Sequence, residues 1–213
     1  MSVRVLIADD HTLVAEGLRH VVESAPGLEV VGQAANGHEA VRLCLELAPD
    51  IVLMDYAMPE LNGPEAMEQI RKRSPSTRII MLSMYGDHAH VVRAVRAGAA
   101  GYLLKRSIGR ELVDAIRTVH VGRTYFTNEL ATSVLGEVAE APLDPLTRLS
   151  ARERQVLQLV AEGRTSAEIG TRLSLSSKTV DTYRSRLMAK LGIQDLAGLV
   201  RFAIQHGVIA VES

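Results

Sequence analysis

The chain has 213 residues, 47% hydrophobic but only 3% aromatic, which leaves room for one large or two modest domains with aliphatic cores and excludes a compositionally disordered chain. A single cysteine excludes an intramolecular disulfide and a cysteine metal cluster, and no apolar run approaches the roughly 20 residues of a membrane span. The net charge of −1 hides an asymmetry: residues 1–140 carry 14 Lys and Arg against 18 Asp and Glu, while residues 141–213 carry 10 against 7, which suits a cation in the first part and a polyanion in the second.

The opening Met1-Ser2-Val3-Arg4 has no signal-peptide shape and leads directly into an apolar run, so a cytoplasmic protein with no membrane partner is expected. Short aliphatic runs follow at Val3–Ala8, Glu29–Ala34, Ile51–Met54, Arg78–Leu82 and Gly101–Leu104. Runs this short, rich in Val, Ile and Leu, fit buried parallel strands. Amphipathic segments near 12–24, 37–48, 63–73, 87–97 and 108–120 alternate with them. Cys44, in the second segment, reads as buried filler beside Ala40 and Val41. Five strand–helix repeats predict an α/β doubly wound five-stranded parallel sheet with helices on both faces.

Residues 121–148 break this rhythm with Gly122, Gly136, Pro142 and Pro145, and some helix is expected near 128–138. From Leu149 onward the pattern is all-helical. Ser150 with Glu153 and Thr165 with Glu168 read as capping boxes, Ser176 and Asp195 as further N-caps, and Gly163, Gly192 and Gly207 as stops. Four helices in about sixty residues make a small bundle.

Chemistry collects at the strand ends. Asp9 and Asp10 follow the first run, Asp55 the third, Ser83 ends the fourth and Lys105 the fifth. Sites in parallel α/β sheets form at the carboxyl ends of strands, so these distant residues should converge. Three neighbouring carboxylates repel, and a hard divalent cation relieves that conflict. Mg²⁺ takes oxygen ligands and keeps places for water and phosphate. Lys105 and Ser83 suit phosphoryl oxygens as a charge and a hydroxyl donor. The pair His88 and His90, two apart, does not share a helix face and is set aside as a metal site.

The stretches VLIADDH, IVLMDYAMPELNG, IIMLSM and AGAAGYLLKRS resemble, in order and spacing across residues 3–120, the signature segments of receiver domains of the flavodoxin-like fold. The resemblance implies that Asp55 is the phosphoacceptor, attacking a phosphohistidine on a sensor histidine kinase. It implies Mg²⁺ held by Asp10, Asp55 and the backbone carbonyl of Ala57, with Asp9 acting through water. It pairs Lys105 with the phosphoryl group, hydrogen-bonds Ser83 to it, and makes Tyr102 a switch aromatic that turns inward. A carboxylate nucleophile needs no general base, and phosphoryl transfer needs chiefly positioning and charge neutralisation. One departure is Arg106, where many receivers carry proline after the lysine.

In the second part, segments 166–173 and 177–191 have helix-turn-helix dimensions. Val180, Tyr183, Leu187 and Leu191 form an inward stripe, opposite a polar, partly basic face. Residues Leu149 to about Val208 resemble the LuxR-type helix-turn-helix, which implies that Lys178, Asp181, Thr182 and Ser185 lie toward DNA; Thr179 and the flanking Arg184 and Arg186 complete the candidate DNA-binding set. Lys178, Arg184 and Arg186 are expected at phosphates, Thr182 and Ser185 at base edges, and Asp181 at a cytosine or in a local cap. The last helix is expected to close the bundle and to serve a homodimer through Leu199 or Ala203, reading half-sites about 34 Å apart on promoter DNA.

The whole resembles two-component response regulators of the NarL/FixJ type. Residues 1–122 form the receiver, 123–147 a linker with some helix, and 148–213 the DNA-binding domain. Phosphorylation would shift the receiver between two conformations, and a tenfold gain in DNA affinity needs only about 1.4 kcal/mol of coupling. The chain is not expected to be an enzyme beyond its own phosphorylation and dephosphorylation. Two rival readings stand beside this one. The first is a Mg²⁺-dependent phosphatase of the haloacid dehalogenase type, whose Asp-x-Asp pattern is replaced here by Asp9-Asp10-His11. The second is a regulator whose receiver acts without phosphorylation.

Overall fold

Along β1 (Val3–Ala8), β3 (Ile51–Asp55), β4 (Arg78–Ser83) and β5 (Gly101–Leu104), nearly every side chain is buried, whichever way it points. Strands apolar on both faces need cover on both faces, and the helices between them supply it. The computed structural model describes residues 2–84, 88–126 and 144–209, with side chains at 88 and 89 left out. It divides into two compact units, Met1–Ala141 and Pro142–Ser213.

The first unit is a parallel sheet in the order β2-β1-β3-β4-β5-β6, with β2 at Leu28–Ala34. Alternate residues feed two separate cores. Val5, Ile7, Leu53, Ile80, Leu82 and Leu103 pack with α1 (Thr12–Ser24) and α5 (Ile108–His120). Leu6, Val52, Met54, Met81 and Tyr102 pack with α2 (Gly37–Leu47), α3 (Gly63–Arg73) and α4 (His88–Ala97). Cys44 is buried in the second of these cores, with its Sγ 3.7 Å from Thr77 Oγ1, and burial pushes the thiol pKa up.

The sheet has six strands where the sequence predicts five. The sixth, β6 (Tyr125–Phe126), pairs with β5 through Gly101 and Tyr102. Two residues are too few to show an alternating pattern, and their pairing depends on the tertiary position of the Ala100 carbonyl, which accepts from Tyr125 N. The helix expected near 128–138, and most of the linker span, lie outside the described residues.

The second unit follows a 3-10 turn at Pro145–Arg148 with α6 (Ala151–Ala161), α7 (Ser166–Leu173), α8 (Ser177–Leu191) and α9 (Leu196–Gln205). Both expected capping boxes form, with Ser150 and Glu153 satisfying each other's backbone N–H, and Thr165 and Glu168 likewise. Ser176 and Asp195 cap α8 and α9 as read, and Gly192 ends α8 at φ 69°, a left-handed position that suits glycine. Val156, Leu157, Ile169, Val180, Leu187, Leu199 and Ala203 form the core. Among the described residues, no helix is long and apolar enough to cross a membrane.

Candidate functional site

Strand register builds the first site. Ala8 pairs with Met54, so Asp9 and Asp55 emerge side by side one step later. Asp55 pairs with Leu82 and Ser83 with Leu104, which brings Ser83 and then Lys105 to the same edge. Lys105 Nζ stands 2.8 Å from Asp9 Oδ2 and 3.0 Å from Asp55 Oδ1, with all three side chains almost wholly buried. The joint where Arg106 replaces the common proline is a single 3-10 turn, Lys105–Ser107.

This pocket is unbalanced in charge. Burial, reinforced by Asp9 and Asp10, outweighs the attraction of Lys105 and pushes the Asp55 pKa up to about 7. Burial works to lower the Lys105 pKa, but the Asp55 and Asp9 carboxylates more than offset it and hold the ammonium form. Asp10 Oδ1 is shielded from solvent and receives no hydrogen bond, although His11 Nδ1 lies 3.2 Å away. Asp9, Asp10, His11 and Asp55 each offer a ligand atom, all within 4.8 Å of one another. Hard carboxylate oxygens with one left unsatisfied fit a divalent cation.

The loop after β3, which carries Ala57, is held at two glycines. Gly63 N donates to the Tyr56 carbonyl, and a Cβ there would stand 2.1 Å from the Asp55 carbonyl oxygen. Gly37 N donates to the Leu61 carbonyl, where a Cβ would again come to 2.1 Å. Any side chain at either position would push the loop away from β3.

Ser83 is buried at the edge of the cluster, and Tyr102 lies wholly inside the core. Three features escaped the sequence reading. His11 sits against Asp9 and Asp10, and its place directly after the aspartates was the available signal. Glu65 and Arg93 form a largely buried ion pair at 3.0 Å between α3 and α4. Tyr56 meets His90 edge to face at 4.9 Å between ring centroids. The last two pairs unite distant residues and had no local signal. His90 is thus a packed core residue, while the side chain of His88 lies outside the described residues.

The second site is the outer face of α8. Lys178, Thr179, Asp181, Thr182, Ser185 and Arg186 are exposed, and Val180 and Leu187 are buried. Asp181 accepts a 2.6 Å hydrogen bond from Ser166, at the start of α7, and Arg184 donates to the same hydroxyl at 3.2 Å. Asp181 therefore acts as a local tie, and half-buried Arg184 is anchored at the same hydroxyl. The Thr182 and Ser185 hydroxyls donate to carbonyls one turn back, each at 3.0 Å, and keep their lone pairs outward. Close approach at the turn needs Gly170, where a Cβ would stand 2.6 Å from the Leu175 carbonyl.

The dimer residues require correction. Leu199 and Ala203 are fully buried in the helical core, because they lie one turn apart on the inward face of α9. The exposed large apolar residues of that helix are Leu196 and Ile204.

Residues 5–117 match the family model of the response regulator receiver domain, and residues 147–203 that of bacterial regulatory proteins, luxR family. The transcriptional regulatory protein MctR of Rhizobium johnstonii is 40% identical over 209 residues, spanning 98% of this chain and 96% of its own. The response regulator UvrY of Escherichia coli is 38% identical over 213 residues, spanning 99% and 98%. Among solved structures, the RcsB–DNA complex aligns with a TM-score of 0.59 and 26% identity over 95% of this chain and 98% of that one.

Proposed function

We propose, from the premise that this chain belongs to the response regulators that join a receiver domain to a LuxR-type DNA-binding domain, that Asp55 is its phosphoacceptor and that the charge added there controls DNA binding. The protein is a regulator of transcription by its two domains and its relatives. The carrying observation is Lys105 Nζ held within 3.0 Å of both Asp9 and Asp55 in a buried pocket with excess carboxylate.

Asp10, Asp55 and the Ala57 carbonyl would hold Mg²⁺, with Asp9 acting through water, and the ion would neutralise phosphoryl oxygens. An Asp55 carboxylate oxygen attacks phosphorus in a phosphohistidine of a sensor histidine kinase, and the bond to the histidine nitrogen breaks. Lys105 stays in reach of the new phosphoryl oxygens, and the Ser83 hydroxyl donates to one of them. Tyr102 follows Ser83 as the switch aromatic, biasing the receiver between two populated states. The only turnover in this scheme is of the protein's own phosphoryl group.

On DNA, Lys178 and Arg186 take phosphates, while Thr179, Thr182 and Ser185 face base edges. Arg184 and Asp181 hold α7 and α8 in register. Promoter half-sites are read by a homodimer, to which Leu196 and Ile204 offer exposed apolar surface on α9. The receiver is taken as residues 1–122, the connection as 123–147 and the DNA-binding domain as 148–213. Histidine kinase catalytic domains and promoters meet in the cytoplasm, where this reading puts the protein.

The test is intact mass after incubation with Mg²⁺ and acetyl phosphate, or with a candidate kinase, beside Asp55→Asn. One added phosphoryl group in the wild type alone, with tighter promoter footprints, is the expected result. Equal gain in both proteins removes Asp55 as acceptor. No gain with any donor favours a receiver that works without phosphorylation.

A further inference from the structure

His11 has no part in the chemistry above, yet its ring stands against both aspartates that follow β1. It is the last residue before α1, with an extended backbone at φ −87° and ψ 103°, and its N–H donates to Asp9 Oδ1 at 3.0 Å. The turn thus fixes where the ring can stand. Nδ1 lies 3.3 Å from Asp9 Oδ1 and 3.2 Å from Asp10 Oδ1.

A charge-assisted N–H···O bond is about 2.7–2.9 Å, so both contacts are long for ion pairs. Asp10 Oδ1 also receives no hydrogen bond. The spacing has another match. Ligands at about 2.1 Å from an octahedral ion stand about 3.0 Å apart when adjacent and about 4.2 Å apart when opposite. The 3.2 Å spacing from Nδ1 to Asp10 Oδ1 is close to the adjacent value. The imidazole is 57% exposed, so a ring placed there still leaves the outer positions of the ion to water or a phosphoryl oxygen.

We propose that His11 Nδ1 is a nitrogen ligand to the divalent ion held by Asp10 and Asp55, with Asp9 acting through water, and that it biases the site toward ions of the manganese and zinc class relative to Mg²⁺. Mg²⁺ strongly prefers oxygen, whereas Mn²⁺ and Zn²⁺ accept imidazole, so a single nitrogen changes the ranking of ions without changing the charge of the site. The inference rests on reading the acidic cluster as a cation site, and the two can fail separately.

The experiment uses the full chain with Mn²⁺ as probe, comparing wild type, His11→Gln and Asp10→Asn. Free Mn²⁺ is counted by its electron paramagnetic resonance signal, and directly bound ¹⁴N is read from electron spin echo modulation. The expected result is one bound Mn²⁺ with a nitrogen coupling. In His11→Gln the coupling vanishes and the Mn²⁺ affinity falls about tenfold, the low end of the effects seen when metal-site partners are removed. Mg²⁺ affinity, measured by competition, falls far less. Bound Mn²⁺ without nitrogen coupling, or a coupling that survives in His11→Gln, overturns the role of His11 while leaving the cation site intact. Mn²⁺ binding that is absent, or unchanged in Asp10→Asn, overturns the cation site and the role of His11 with it.

Discussion

The two functional surfaces of this protein are built on opposite physical terms. At the sheet edge, three carboxylates and one lysine are gathered from the ends of three strands, largely buried, and left out of balance, with Asp55 pushed to about 7. On α8, the polar residues come from one continuous segment, are mostly exposed, and are already satisfied by neighbours such as Ser166. A site that is electrostatically frustrated changes state when one charge is added or neutralised. A site that is satisfied at rest presents one shape. The first suits a receiver of a signal and the second a reader of DNA.

Removing the frustration should have the largest effect. A raised carboxylate pKa stabilises the fold below its ordinary value of 3.8 and loses that contribution as pH rises through about 7. Asp55→Asn without divalent cation should therefore be more stable to denaturant than wild type at pH 8, by up to about 4 kcal/mol of unfolding free energy. The gap should close toward pH 4. Equal midpoints at pH 8 would show that the cluster is better screened than its burial implies.

The glycines sharpen the same contrast. Gly63→Ala meets the Asp55 carbonyl and the Met81 methyl, and both are enclosed. It should destabilise the first unit by about 3 kcal/mol and weaken divalent binding, read by calorimetry. Gly170→Ala meets one carbonyl in an exposed turn that can give, so about 1–2 kcal/mol is expected, with DNA affinity reduced through the tilt of α8.

Within the helical unit, buried Glu153 accepts from Lys190 at 2.7 Å and closes a capping box. Burial raises its pKa, but the Lys190 and Ser150 hydrogen bonds outweigh this and hold it below the ordinary 4.5. Its stabilisation is present above pH 4.5 and is lost as pH falls below that value. Glu153→Gln should cost about 1 kcal/mol at pH 7 and flatten the acid limb of a thermal melt series. Smallest in free energy, Lys178→Ala should weaken binding to all DNA sequences alike and reduce the salt slope by about one, whereas Thr182→Ala should alter which sequences bind. A Lys178→Ala effect confined to one sequence would place that lysine at a base.

Much of this was legible beforehand, because short-range rules govern it. Short aliphatic runs such as Val3–Ala8, recurring between amphipathic segments, fit strands covered on both sides, and a capping box spans four residues and carries its own hydrogen-bond partners. Aspartates and a lysine placed directly after such strands are brought to one edge by parallel pairing alone. Leu199 and Ala203 show where this stops. Periodicity identifies the apolar positions of α9, but whether one faces the bundle or a second copy depends on what packs beside it.

By itself, then, the sequence determined the order of strands and helices, the two-domain layout and the residues at the carboxyl edge, since each follows from local periodicity and strand direction. Only the tertiary structure decided the pairing of β6 with β5, the Glu65–Arg93 bridge, the tether between Asp181 and Ser166, the place of His11 against the aspartates, and the rise of the Asp55 pKa. The reason is common to all five. Burial and close approach between groups far apart along the chain, or the turn geometry that sets neighbours face to face, are properties of the packed volume, and no window of sequence contains them.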